Sequence, residues 1–226
     1  MQPRKYFKRA NIISSKLFLL GYFFILFAFR VNSQDLYTTV ALTAADNTGY
    51  GYYTFQKPGL YFSIGKSQEV ERLREGRFSY GVAFSQKGAR KAPNPSNLDF
   101  VEYNVRLNYA EVNMLFWLKM KSLKALVGLN GGYLFNKTEK SANGIPVIFS
   151  SGYRKLDFSF TAGLGVMLGK NFLLQMTGSY SIIPVIDVGG LGRVAFSRGP
   201  RNTLVNIGFT YLFIKKPEPE ENSVEE

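Results

Sequence analysis

The chain has 226 residues, among them 20 Phe and 14 Tyr, with no Cys, no His and a formal net charge of +12. Without His or Cys it has no imidazole base, no thiolate nucleophile, no imidazole or thiolate metal ligand and no disulfide. A carboxylate pair is the remaining route to catalysis, but Asp and Glu fall mainly in expected turns and loops, so no enzyme and no cofactor is expected.

Arg4, Lys5, Lys8, Arg9 and Lys16 form a basic stretch without an acid, followed by an apolar run from Leu17 to Phe29 and then Val31-Asn32-Ser33. This is the layout of a signal peptide over residues 1–33, cut after Ser33. The apolar run would span about 20 Å as a helix, short of the ~30 Å hydrocarbon core, which argues against an uncleaved anchor. Beyond the leader, 22 basic residues stand against 16 acidic ones, and over 34–213 the ratio is 20 to 11. An exported basic chain is expected to meet anionic lipid head groups, including lipopolysaccharide, rather than nucleic acid.

Period-2 patterning then predicts eight strands, at about 36–45, 57–70, 76–87, 103–118, 124–137, 154–168, 171–184 and 202–213. In 156–168, Leu156, Phe158, Phe160, Leu164, Val166 and Leu168 alternate with Asp157, Ser159, Thr161, Gly163 and Gly165. The strand 202–213 places Val205, Ile207, Phe209, Tyr211 and Phe213 on one face and Asn206, Gly208 and Thr210 on the other. A soluble barrel would turn its polar face to water and charge it heavily. Here that face is Gly, Ser, Thr and Asn, which suits the narrow lumen of a barrel with lipid outside. The fold class is therefore all-β, an eight-stranded antiparallel transmembrane barrel over residues 34–213.

The connections at about 46–56, 88–102, 138–153 and 185–201 are long and rich in Gly, Pro, Asn and Ser. Those at 71–75, 119–123 and 169–170 are short. Long outer loops alternating with short periplasmic turns place both termini in the periplasm. Aromatics at strand ends (Phe55, Trp117, Tyr133, Phe135, Tyr211, Phe213, with Tyr50, Tyr52 and Tyr53) suit the membrane interface. One strand is irregular. In 103–118, Val105 and Leu107 predict odd residues outward and Val112, Met114, Phe116 and Leu118 predict even ones, which calls for a bulge near Tyr109 and Ala110.

The segments YGVAFSQKGAR (80–90), LNYAEVNMLFWLK (107–119), GLNGGYLFNK (128–137), LDFSFTAGLGV (156–166) and NIGFTYLF (206–213) come in the order seen in the PorT/OmpX-like outer-membrane β-barrel domain family, which the chain resembles over nearly all of its length after the leader. Where that family usually reads Tyr-x-Glu-x-Pro, this chain has Tyr109, Glu111 and Asn113. It also continues past the closing strand as an acidic tail, residues 214–226, with the composition of a disordered periplasmic segment. The resemblance implies an eight-stranded barrel. One branch of the family assists a protein-secretion machine, and other members are surface barrels.

Five charged residues are candidates inside the lumen. Glu111 and Asp157 lie deep in strand sequence, where a lipid-facing carboxylate would cost several kcal/mol. Arg77, Lys87 and Arg106 are the expected partners. Such a group either plugs the lumen and fixes strand register or forms an ion pathway. Lys87, Arg90 and Lys91 also form a basic outer-loop patch, read either as a docking site for lipopolysaccharide phosphate or as a solvated loop. Phe209, Tyr211 and Phe213 form a C-terminal signal for barrel-assembly machinery. The function these residues suggest is a non-enzymatic outer-membrane barrel, structural or accessory, with a secretion-system or periplasmic partner as one candidate. The alternatives are a small-solute channel or a surface adhesion barrel.

Overall fold

The computed structural model describes residues 35–48, 55–70, 76–93, 96, 102–120, 123–141, 152–186 and 199–213. The expected leader, the acidic tail, and Tyr50, Tyr52 and Tyr53 lie outside them. Eight strands form in chain order: β1 (Asp35–Thr48), β2 (Lys57–Glu69), β3 (Gly76–Lys91), β4 (Tyr103–Met120), β5 (Leu123–Ser141), β6 (Leu156–Leu168), β7 (Phe172–Ser181) and β8 (Arg201–Phe213). Each pairs antiparallel with its neighbours, and β8 returns to β1 from Leu36↔Phe213 to Thr48↔Arg201, closing the barrel. Closure leaves no strand edge to solvate, the condition for a sheet to stand in hydrocarbon.

The alternation seen in the sequence is the inside–outside alternation of the barrel. Val40, Leu42, Phe62, Val82, Val112, Leu129, Phe160, Leu164, Met176, Ile207 and Phe209 are exposed, Leu42 at 71%. Buried on the opposite face are Thr39, Thr43, Ser63, Ser67, Ser79, Asn113, Ser159, Thr161, Thr177, Asn206 and Thr210. A water-soluble protein does not bury its hydroxyls and expose its aliphatics. This is a transmembrane barrel of the outer-membrane type.

The lumen residues hydrogen-bond across it. Tyr37 donates to Asn113 Oδ1 (3.0 Å), and the Asn113 amide donates to the Tyr61 hydroxyl (3.1 Å), linking β1, β4 and β2. Thr39 bonds Thr210 at 2.7 Å across the closing seam, and Thr43 donates to Asn206 Oδ1 at 2.8 Å. Two lumen cavities measure about 20 and 30 Å³.

Three features depart from the sequence expectation. β3 and β5 run to Lys91 and Ser141, so residues 88–91 and 138–141 are ladder and not loop: Lys91 pairs with Tyr103, and Tyr103 with Ser141. β4 does not switch parity. Its register with β3 is unbroken, and the irregularity at Asn108/Tyr109 lies in the pairing with β5, where Asn108 faces Asn136 and Tyr109 faces Leu134, leaving Phe135 as the extra residue. Val105 and Leu107 are accordingly buried with Tyr109 and Leu134, packed by Tyr103 and Tyr153. Trp117 likewise faces inward, packing with Leu115, Leu126 and Leu173. Tyr211 and Phe213, by contrast, stack edge-on outside at 4.6 Å, next to Phe172.

At the other end of β6, a three-residue turn reverses the chain into β7, and Gly169 at φ +84° takes the left-handed position that side chains avoid. β3, β4 and β5 have 16, 18 and 19 residues, against the ~9–11 a tilted strand needs to span. The surplus lies at the long-connection end, where these strands project past the apolar band as a paired ribbon.

Leu164→Arg puts a cation within the apolar band and is expected to cost more than ~1 kcal/mol, rising toward ~4 kcal/mol with depth. Urea unfolding from phospholipid vesicles measures it. A loss under ~1 kcal/mol would contradict the lipid-facing assignment.

Candidate functional site: a sealed lumen ion group and a cationic rim cleft

Strand register brings Lys87, Glu111 and Asp157 together. Glu111 sits opposite Gly132, and Gly132 sits opposite Asp157, so both carboxylates lie on one inward row with only a glycine between them. A Cβ at Gly132 would lie 3.3 Å from Glu111 Cγ and Oε1 and 3.2 Å from the Tyr109 ring. The bare position is what admits two acids side by side. Lys87 comes from β3, with its Nζ 2.6 Å from Glu111 Oε1 and 2.8 Å from Asp157 Oδ2. All three are buried, Lys87 at 2% exposure. The same Nζ lies 5.0 Å from the centre of the Tyr109 ring, and Asn202 donates to Asp157 Oδ2 at 3.1 Å.

Two carboxylates and one ammonium leave one excess negative charge if all are ionised. Asp157 Oδ1, Asn202 Oδ1 and the Tyr109 hydroxyl have no hydrogen-bond partner among the described residues. Toward the long-connection end the group is covered by Val105, Leu107 and Leu134, with Tyr153 against them. Val185 and Ile186 are also buried there, tied down by Arg154 N–H to Val185 O (2.8 Å) and Val185 N–H to Pro200 O (2.8 Å). The group can cross-link three strands, and it is poorly placed to pass an ion.

The other candidates stand elsewhere. Arg77 pairs with Asp35 near the short-turn end and does not join the lumen group. Arg106 does not reach it either, because it lies on the outward parity of β4, one residue off the Val105–Leu107 face. It lines a cleft of about 180 Å³ with Lys57, Asn104, Thr138 and Lys140. Lys87 is no part of an outer-loop patch, since it is in a strand and points inward. Arg90 is half-exposed, 3.9 Å from Glu102, and Lys91 ends β3. Phe209 and Phe213 are exposed outward and Tyr211 is between them on the same face. Among the described residues no cluster of three or more metal-ligating side chains occurs.

Sequence reasoning missed Gly132, Asn202, Lys57 and Lys140. Gly131-Gly132 in mid-strand was the available signal for the first, since glycine inside a strand marks close approach. Nothing local marks the others, which are assembled by register alone. Lys57 stands beyond the apolar band at the start of β2, its Nζ 2.7 Å from Asn104 Oδ1. Burial, and then the positive charges of Arg106 and Arg90, hold its ammonium below the ordinary lysine value.

No protein-family model matches the chain, and no curated protein matches it. Solved structures share its outline at low identity. Neisserial surface protein A (NspA) is 14% identical with a TM-score of 0.44, over 79% of this chain and 96% of that one. Ail, the attachment invasion locus protein of Yersinia pestis, seen in a phospholipid bilayer nanodisc, is 16% identical with a TM-score of 0.41, over 79% and 99%. The outer membrane protein AlkL in lipid bilayers is 15% identical with a TM-score of 0.42, over 84% and 94%. Likeness this low says nothing of role, which has to come from the chain's own geometry.

Removing Lys87 leaves two buried carboxylates uncompensated, so Lys87→Met is expected to cost about 3–5 kcal/mol. Glu111→Gln or Asp157→Asn leaves one acid on one base and is expected to lower Tm less. Thermal unfolding of the three variants in detergent gives the order. Equal melting of Lys87→Met and the wild type would remove the group from the stability of the barrel.

Proposed function

We propose that the chain is a non-conducting, non-enzymatic barrel of the bacterial outer membrane, with a structural or accessory role exercised at its surfaces and not through its lumen. The observation that carries this is the filled interior. A cross-strand hydrogen-bond network, a buried ion group and an apolar cover fill the lumen among the described residues, and the two cavities they line measure about 20 and 30 Å³. Solute passage needs a continuous wet path, and eight strands leave an interior that side chains fill. The lumen ion group is then a lock on strand register. An unpaired acid there would be costly, whereas the bridged arrangement ties β3, β4 and β6 in one alignment.

In this reading the short turns and both termini face the periplasm, and the β3–β5 ribbon stands outside the cell. The aromatic C-terminal strand serves assembly machinery during insertion. The acidic tail is available to a periplasmic or secretion-system partner of the kind the PorT-like branch suggests. The absence of His and Cys supports the non-enzymatic assignment.

In planar bilayers the purified protein is expected to give no discrete current steps above the bare membrane. Steps from the wild type would overturn the closed-lumen reading. Because the chain has no native Cys, orientation can be read from single introduced thiols. Thr138→Cys should react with an impermeant maleimide on intact cells, and Lys170→Cys only after the outer membrane is permeabilised. The reverse pattern would invert the topology. Affinity purification in mild detergent then separates an accessory subunit, which brings a stoichiometric partner, from a freestanding barrel, which comes alone.

A further inference from the structure

The cleft at the long-connection rim holds three basic side chains, Lys57, Arg106 and Lys140, with the amide of Asn104 and the hydroxyl of Thr138, and among the described residues no carboxylate lines it. Cross-strand pairing sets the spacing: Asn104 sits opposite Lys140 and Arg106 opposite Thr138. Glu139, the acid between Thr138 and Lys140 in sequence, alternates to the other face, where it meets Lys137 at 3.4 Å. Among the described residues neither Arg106 nor Lys140 has an ion-pair partner. Lys57 is 4% exposed, and a neutral amide oxygen at 2.7 Å is the contact its ammonium makes.

Buried cations ordinarily lie against a carboxylate. Here one buried ammonium, Lys57, and two exposed cations share a cleft that no carboxylate among the described residues lines, and an anion would complete it. The volume exceeds by more than tenfold what a single water needs, so the cleft admits a tetrahedral oxyanion with some of its hydration.

Its height narrows the chemistry. Tyr133 and Phe135 are exposed on β5 and mark the aromatic edge of the apolar band. Thr138 and Lys140 come within a few residues on the same strand, at the level where lipid head groups begin. We propose that this cleft binds a phosphate group of a phosphorylated glycolipid in the outer leaflet, with Arg106 offering a bidentate contact and Lys57 and Lys140 flanking it. The proposal rests on the outward placement of the long connections in the proposed function, and it moves the expected phosphate contact from the β3 end to the β4–β5 ribbon.

The test uses the full chain in nanodiscs. The probes are lipopolysaccharide with its phosphates intact, the same material chemically dephosphorylated, and inorganic phosphate. Arg106→Gln/Lys140→Gln changes two exposed side chains. Heat-shifted gel mobility and thiol labelling at positions 138 and 170 check that the variant folds and inserts as the wild type does. Intact lipopolysaccharide should bind the double variant about tenfold more weakly than the wild type, with the gap shrinking as salt rises. Dephosphorylated material should not distinguish them. Equal binding of intact lipopolysaccharide by both proteins would overturn the proposal. So would undiminished binding after dephosphorylation. Inorganic phosphate binding as tightly as the glycolipid would assign the cleft to free phosphate instead and overturn the lipid source. A wild type that labels from the wrong side would overturn the topology, and the outer-leaflet source with it. Where the double variant alone inserts wrongly, Lys140→Gln by itself supplies the same readout.

Discussion

The width of an eight-stranded lumen is the constraint on which the rest of the structure depends. An interior that only side chains can fill forces every inward residue to be small, hydrogen-bonded, charge-paired or packed against another. Thr, Ser and Asn meet the condition by bonding across the seam and between neighbouring strands, as at Thr39–Thr210 and Tyr37–Asn113–Tyr61. Where larger groups enter they cluster. Trp117, Leu115, Leu126 and Leu173 fill one end, and Tyr109, Leu107, Val105 and Leu134 the other. The ion group lies between them in the same lumen, where removal from bulk water strengthens the attraction of Lys87 for both acids and raises the penalty for losing it.

Gly132 shows how a single small residue shapes that interior. Any side chain there would crowd Glu111 and the Tyr109 ring. Its emptiness lets two like charges share a row, and the lysine from β3 reconciles them. Each of the three charged residues is unfavourable alone in this setting. Register makes them acceptable together, so the group discriminates against any slipped alignment of β3, β4 and β6: a one-residue slip turns a charge into lipid.

The fold was legible because lipid and lumen impose opposite demands on alternate residues. The segments 156–168 and 202–213 display that alternation almost without interruption. Legibility failed where a residue's surroundings are set by distant chain. Val105 and Leu107 look outward-facing because they are apolar, yet the segment around Tyr153 and the neighbouring strands bury them. The irregularity they seemed to demand sits at the anticipated height, but its extra residue belongs to the partner strand. Of the five lumen candidates, three meet: Glu111 and Asp157 on one inward row, and Lys87 reaching them from β3. Arg77 and Arg106 were drawn by charge type alone, and register sends one to the short-turn end and the other to the outer face. The cationic rim cleft was invisible because Lys57 and Lys140 are 83 positions apart in the chain and neither belongs to a basic run.

Closure of β8 on β1 has a consequence for how such a molecule comes into being. The strand that completes the ladder is the last to be synthesised, and it must find the first, across a separation of more than 150 residues. Until it does, two rows of backbone amides and carbonyls face a medium that cannot satisfy them. The seven preceding hairpin contacts are all between chain neighbours and form without long searches, whereas the final one carries the largest single entropic cost of loop closure. Insertion is therefore timed by β8, and deletions within Arg201–Phe213 should be felt by the whole molecule at once.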